Sequence, residues 1–467
     1  ANNTSGKNVC LIKKLLFVDA LSWHSPELIH EAVNASGENC GMPTGTLQGM
    51  RGFRVLIYSH DTMGLGHLRR CSTIAHSLVR EYPDVSVLIL SGSPIIGSFD
   101  FRSRVDFVRI PGVIKLRNGE YTSLNLGIDF EQTIHMRAEI IKHTADIFAP
   151  DMVIVDKEPL GLRGEIEETL RMLKRRGTRL ILGLRDIMDD PSMLAPEWRR
   201  KNAMPALRDL YDEIWVYGLP QVCDPLQGLQ VPRQVRRRMV YTGYLPRRTP
   251  TEPSTRPLPE IVSEPYVLVT TGGGGDGEGL IDWVLRAYEA DDRMLYPALI
   301  VLGPFMQPET QAEFIDRANR LSRVQAITFD AKLEELEDNA VGVVAMGGYN
   351  TFCEILSFNK RALIIPRTRP RMEQFIRASR AQELGLVKML EDDGKRDAEI
   401  MGKALRELPY QNRPRDVIVP GLLEGLDNVN RLVEPWLSEP TMTREAAREQ
   451  APAKKSAADR AKASSGD

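Results

Sequence analysis

The sequence predicts an α/β protein made of two doubly wound domains that face each other across a cleft. Three observations carry that expectation. Between residues 51 and 245, short runs rich in β-branched residues alternate with helical patterns, and strands separated by helices build a mostly parallel sheet covered on both faces. Residues 245–260 then read LPRRTPTEPSTRPLPE, with five prolines. Such a stretch can join neither a helix nor a central strand, so it reads as an extended interdomain linker. A second alternation follows and ends near residue 437.

The strands of the first domain are expected at 54–60, 85–92, 105–112, 152–159, 179–186, 213–218 and 239–244, with a long helical pattern at 130–148. The second domain offers strands at 266–275, 298–304, 324–330, 342–348 and 361–367, and a terminal helix at 426–437. Residues 1–50 are rich in Asn, Gly, Ser and Thr without a period and read as a loosely ordered extension. Residues 438–467 are rich in Ala, Lys and Arg without an apolar stripe and read as a disordered tail. The domain division is therefore 51–245, a linker at 246–262, and 263–437.

The chain has 467 residues, enough for two cores. Its 42% hydrophobic and 27% charged content is that of a water-soluble globular protein. A formal net charge of −2 gives no basic field for nucleic acid. The five cysteines (10, 40, 71, 223 and 353) show no metal-ligand spacing and suggest free thiols in a reducing compartment, the cytoplasm. No apolar run approaches the roughly 18 residues of a membrane span. The apolar run 15–21 is too short for a secretory signal and is broken by Asp19.

Four turns are candidates for phosphate binding, three of them containing glycine. The first is Met63-Gly64-Leu65-Gly66-His67-Leu68-Arg69-Arg70, between a strand and a helix. A helix start offers free N–H groups and a positive dipole end to an anion, so Gly64 and Gly66 are candidate ligand-binding positions. As a dinucleotide fingerprint the turn lacks its third glycine, and the next strand ends in Leu90-Ser91-Gly92 instead of an acid. NAD is thus disfavoured. His67, inside such a turn, is a candidate catalytic group; packing or capping is its plainer role. The second turn is Gly272-Gly273-Gly274-Gly275, followed by Asp276-Gly277. Consecutive glycines let the backbone approach a phosphate, and no Lys-Ser/Thr pair follows to make a P-loop.

The third turn, Gly347-Gly348, ends a strand. Asn350 and Thr351 can cap the next helix, and Glu354 lies one turn inside it, where a carboxylate can accept from ribose hydroxyls or merely complement the helix dipole. The fourth is the arginine-rich turn at 366–372. There Arg367, Arg369 and Arg371 can meet phosphates or an anionic acceptor, or simply be solvated, and Glu373 and Gln374 stand at a helix start.

Taken together, the glycine-rich loop, then G-G-Y-N-T-x-x-E, then P-x6-E-Q-x-x-R-A, in that order and spacing, resembles the C-terminal half of GT-B glycosyltransferases, most of all family 28. The match is good over about 266–390; the first half matches mainly through Gly64-Leu65-Gly66-His67. The chain as a whole is similar to a bacterial group described as predicted glycosyltransferases.

The resemblance implies two Rossmann-like domains and a nucleotide-sugar donor, UDP-linked by default. The donor would be held by the second domain: Glu354 on the ribose, the 272–275 loop and Gly347-Gly348 on the diphosphate, Glu373 and Gln374 on the sugar. The base would meet a segment near 328–332, largely through backbone. The acceptor would enter near His67 and is a glycan, a lipid-linked or a small molecule, in polysaccharide or glycoconjugate synthesis; peripheral membrane association is compatible with it. The spacing Gly64-x-Gly66-His67-x-x-Arg70 is also similar to a GT-B-like hydrolase that releases the nucleotide from a UDP-linked amino sugar. Hydrolysis or epimerisation is therefore the alternative activity, and non-catalytic nucleotide-sugar binding is a third reading.

No Asp-x-Asp motif with apolar flanks is present, so the expected reaction needs no metal and no cofactor. Helix N-termini and arginines would stabilise the leaving diphosphate, and direct displacement would invert the anomeric carbon. His67 is the first choice of general base. Asp156, Glu158 and Asp186, at the ends of two strands, are the other candidates to act as base or to orient it. Residues 115–127 form a candidate acceptor loop.

Overall fold

The computed structural model describes residues 52–60, 66–115, 120–249, 258–273, 275–330 and 333–437. The N-terminal extension, Gly64, Gly274, most of the proline-rich linker, Cys10, Cys40 and the C-terminal tail lie outside these residues. Cys71, Cys223 and Cys353, the cysteines among the described residues, form no disulfide. Among the described residues no helix is long and apolar enough to cross a membrane.

The first domain contains β1 (Phe53–Ser59), β2 (Val85–Ser91), β3 (Val105–Arg109), β4 (Val113–Lys115), β5 (Tyr121–Ser123), β6 (Met152–Asp156), β7 (Arg179–Arg185), β8 (Glu213–Tyr217) and β9 (Met239–Tyr241). Seven of these form one sheet in the order β3-β2-β1-β6-β7-β8-β9, and its pairs are parallel. The second domain contains β10 (Val267–Thr270), β11 (Ala298–Val301), β12 (Val324–Ile327), β13 (Gly342–Ala345), β14 (Arg361–Ile364) and β15 (Lys388–Met389). They form a parallel sheet in the order β12-β11-β10-β13-β14-β15. The central strands are buried along their length, as in the FRVLIYS run of β1, because helices cover both faces.

The order of each sheet reverses once. In the first domain this happens between β1 and β6, in the second between β10 and β13. At such a switch point the chains leave neighbouring strands in opposite directions and open a crevice at the carboxyl ends. His67 follows β1 and Asp156 ends β6; Gly272 follows β10 and Gly347 follows β13. Topology alone thus brings the motifs together.

Five helices frame these crevices. They are α1 (Gly66–Glu81), α2 (Phe130–Phe148), α3 (Leu333–Asn339), α4 (Tyr349–Ser357) and α5 (Glu373–Glu383). Helix α2 has the limits its apolar period predicts. Asp129 caps its start by accepting from the Gln132 N–H at 2.8 Å, and Ala149 ends it in the left-handed region. The candidate acceptor loop is in part a hairpin, β4 with antiparallel β5, too short to be read from alternation; 116–119 lie outside the described residues.

One element departs from the expected division. The terminal helix α6 (Gly425–Leu437) packs on the first domain, not the second. Asn430 Nδ2 donates to Ser77 Oγ at 3.2 Å, Tyr82 donates to the Asn430 carbonyl at 2.9 Å, and Trp436 stacks on Trp215 at 6.4 Å. The apolar stripe of the helix has its partner across the domain boundary. The chain therefore crosses between the domains twice.

Candidate active site

Between the two carboxyl-end crevices lies a cleft of about 450 Å³. From the first domain it is lined by Gly66, His67, Arg69, Arg70 and Arg185, and from the second by the glycine turns, Tyr349, Asn350, Thr351, Glu373 and Gln374 among others. Phe305 and Phe329 add aromatic faces.

His67 is the second residue of α1. Its Nδ1 donates to Asp156 Oδ2, so the neutral ring keeps its lone pair on Nε2. Arg70, one turn further along α1, clamps the same carboxylate with Nε at 2.7 Å and Nη2 at 2.8 Å. Both Arg70 and Asp156 are 2% exposed. Burial alone would raise the Asp156 pKa, but the charges of Arg70 and His67 outweigh it and hold the carboxyl well below its usual range. Burial lowers the pKa of His67, and the adjacent Asp156 only partly offsets this. The outcome is a neutral imidazole, oriented through Nδ1, beside an ionised carboxylate.

Glu158 and Asp186 have other partners. Glu158 lies 2.8 Å from Lys201 Nζ and 3.6 Å from Lys157 Nζ; burial opposes its ionisation, yet these cations and His60 hold its pKa well down. His60 packs edge-on to His67 at 5.7 Å between ring centres. Its Nδ1 is buried without a partner, and burial lowers its pKa to about 3. Asp186 accepts from Arg377 at 2.7 and 2.6 Å and from the Tyr244 hydroxyl at 2.8 Å. Neither Glu158 nor Asp186 lines the cleft. The sequence offers both as candidates to act as base or to orient it, and each is instead already paired: Glu158 with the exposed Lys201 and the partly buried Lys157, Asp186 with the buried Arg377.

On the donor side, Gly272 has φ +68° and Gly347 φ +79°. A Cβ at Gly347 would lie 2.8 Å from Ile364 Cγ2, so this turn requires glycine on two counts. Gly348 is the N-cap of α4 and no side chain caps the helix. Asn350 and Thr351 lie inside the first turn instead of capping it. Asn350 Nδ2 donates to the Gly66 carbonyl at 3.1 Å, bridging the domains. The first-turn N–H groups of α4 thus meet the cleft with no side-chain cap, an arrangement suited to an anion.

Glu354 is 1% exposed and is absent from the cleft lining. Arg69 donates to its Oε1 at 3.0 Å, while Oε2 is buried without a partner. Burial raises its pKa more than Arg69 lowers it. Glu373 and Gln374 line the cleft at the start of α5. Arg367 Nη2 donates to Glu373 Oε1 at 2.6 Å, and the Arg367 N–H donates to Gln374 at 3.2 Å. Arg371 lies outside the cleft lining, bound to Asp189 at 3.3 Å and Glu197 at 3.0 Å of the first domain. Phe329, exposed by 42%, represents the expected base segment; 331–332 lie outside the described residues. Among the described residues no group of three His, Cys, Asp or Glu is arranged to hold a metal ion.

The sequence did not single out Arg70 as the clamp of Asp156, nor Arg185, Tyr349 and Arg377. Only the position of Arg70, one helical turn beyond His67 on the same face, carried a signal.

No protein-family model and no curated protein matches the chain. Solved structures match most of its length. The structure of Phytolacca americana UGT2 complexed with UDP-2-fluoro-glucose and pterostilbene is 14% identical, with a TM-score of 0.54 over 85% of this chain and 99% of that one. The calicheamicin glycosyltransferase CalG4 is 13% identical, with a TM-score of 0.52 over 84% and 99%. The glycosyltransferase VinC in complex with dTDP is 16% identical, with a TM-score of 0.50 over 85% and 100%. These likenesses establish the fold: two Rossmann-like domains in the GT-B arrangement.

Proposed function

We propose that the protein is a metal-independent glycosyltransferase that moves a sugar from a nucleoside diphosphate to an acceptor hydroxyl with inversion. The observation that carries this reading is the pairing of His67 with Asp156 across a cleft from the uncapped start of α4. His67 Nε2 takes the proton of the acceptor hydroxyl. The acceptor oxygen forms a bond to the anomeric carbon as the bond from that carbon to the distal phosphate oxygen breaks, and the nucleoside diphosphate leaves with the electron pair. Asp156 stays ionised and stabilises the imidazolium. The first-turn N–H groups of α4 face the charge that develops on the leaving group. Glu373 and Gln374, which line the cleft, take the sugar; Glu354, buried outside the lining, acts through Arg69, which donates to its Oε1 and does line the cleft. UDP is the default nucleotide, and dTDP enters the test because a GT-B neighbour holds it.

The test is thermal unfolding with UDP, dTDP, GDP and CMP and their sugar conjugates. A ligand at about 100 times its dissociation constant stabilises the native state by roughly 2.7 kcal/mol. One nucleotide family giving a selective shift supports the donor site; no shift at millimolar concentration removes it. The second reading, hydrolysis, draws on the Gly66-His67-x-x-Arg70 arrangement, in which the same base would activate water. Turnover without an acceptor separates the two.

A further inference from the structure

Arg185 ends β7, at the carboxyl end of a strand beside the switch point, and it lines the cleft. Its Nε is buried without a hydrogen-bond partner, and no carboxylate among the described residues pairs with it. Burial and the neighbouring charges of Arg70 and Arg377 lower its pKa to about 10, against the attraction of Glu373. Those two arginines are satisfied: Arg70 by Asp156 and Arg377 by Asp186. Glu373 has its own hydrogen-bonded cation in Arg367. Three guanidinium groups thus share two aspartates, and Arg185 is the cation left over.

Arg185 is half-buried, with its Nε out of water and unpartnered; a poorly solvated cation of this kind is costly, and a cleft-lining one becomes favourable when an anion arrives. The location says which anion. Arg377, whose charge acts on Arg185, donates to the Gly347 carbonyl at 3.0 Å. That carbonyl belongs to the glycine turn that opens α4.

We infer that Arg185 is the first domain's ligand for the distal phosphate of the nucleoside diphosphate, completing from one domain the anion site that α4 begins in the other. The inference rests on the nucleotide-sugar reading for its ligand, but the anion site itself does not. An arginine in this place also holds the two domains around the leaving group, since the phosphate bridges them.

Calorimetric titration of the wild-type chain and of Arg185→Gln with UDP, dTDP, UMP, dTMP and inorganic pyrophosphate tests it. Charge-assisted hydrogen bonds of this kind correspond to a loss of roughly 10- to 100-fold in affinity. The expected result is that loss for the diphosphates and pyrophosphate, a change of no more than about threefold for the monophosphates, and a thermal midpoint of the free variant no lower than wild type. Arg185→Lys keeps the charge and recovers part of the affinity. Unchanged diphosphate affinity in Arg185→Gln overturns the inference while leaving the nucleotide reading in place. Equal loss for mono- and diphosphates, or a lowered midpoint, also overturns it. Arg185-dependent binding of pyrophosphate without binding of any nucleotide upholds the anion site and removes the nucleotide reading. No binding of any probe to the wild type removes both.

Discussion

Arg377 of the second domain and Asp186 of the first form a two-point ion pair at 2.7 and 2.6 Å, with side chains 1% and 0% exposed. The Arg377 guanidinium also lies 5.8 Å from the Tyr349 ring centre, and Arg70 approaches the same ring at 5.4 Å. One tyrosine therefore sits beside an interdomain clamp and beside the arginine that binds Asp156, the partner of His67. Breaking the clamp from one side leaves a buried charge. Arg377→Ala is expected to lower the free energy of unfolding by about 3–5 kcal/mol, read as a shifted urea midpoint. The double variant Arg377→Met, Asp186→Leu removes both charges and is expected to recover much of that loss.

The two members of the dyad are expected to respond differently to mutation. His67→Ala leaves Asp156 paired with Arg70, so stability changes little while turnover falls by about 10²–10⁴-fold, the usual contribution of a general base. Asp156→Asn loses turnover too, but it also strands Arg70 and costs about 3–5 kcal/mol of stability. Paired measurements of kcat/KM and thermal midpoint separate the two patterns. Equal destabilisation in both variants contradicts the assignment.

His60 and His67 both have folded pKa values below the ordinary value of about 6.5. As pH falls the unfolded chain binds protons first, so stability is full above about pH 6.5 and is lost below it. For His60 the loss continues down to its folded pKa of about 3. Each proton taken up only by the unfolded chain contributes a slope of about 1.4 kcal/mol per pH unit. Asp156 and Glu158, with lowered folded pKa values, add their own loss below about pH 4. Chemical denaturation between pH 7 and 5 is expected to show the histidine slope, and His60→Asn to reduce it, leaving the shares of His67 and of His76, whose pKa burial lowers to about 4. The same lowering of His67 keeps kcat/KM level through neutral pH, with an acid limb below the ordinary histidine range.

Gly347→Ala is expected to cost about 1–3 kcal/mol, since it combines a left-handed backbone with a Cβ 2.8 Å from Ile364. Because the turn opens α4, affinity for a nucleoside diphosphate is expected to fall in the same variant. A thermal scan and a titration check both.

The sheets were legible because buried parallel strands leave near-continuous apolar runs, and the limits of α2 because its capping Asp129 is local. The two glycine turns and His67 were legible for the same reason: strand, turn and helix start are adjacent in sequence. What was not legible depends on distant partners. Nothing around Asp186 announces an arginine 191 positions away. Nothing in the terminal helix says that its stripe meets Ser77 and Trp215 on the first domain. The unpaired state of Arg185 is a property of three arginines and two aspartates brought together by two sheets.

The most direct test is the release of nucleoside diphosphate from UDP- and dTDP-sugars, with and without a panel of hydroxyl acceptors, by wild-type protein and by His67→Ala. The account predicts release that requires an acceptor and falls by about 10²–10⁴-fold in the variant at an unchanged thermal midpoint. Release at the same rate without any acceptor, or full turnover by a folded His67→Ala protein, would contradict it.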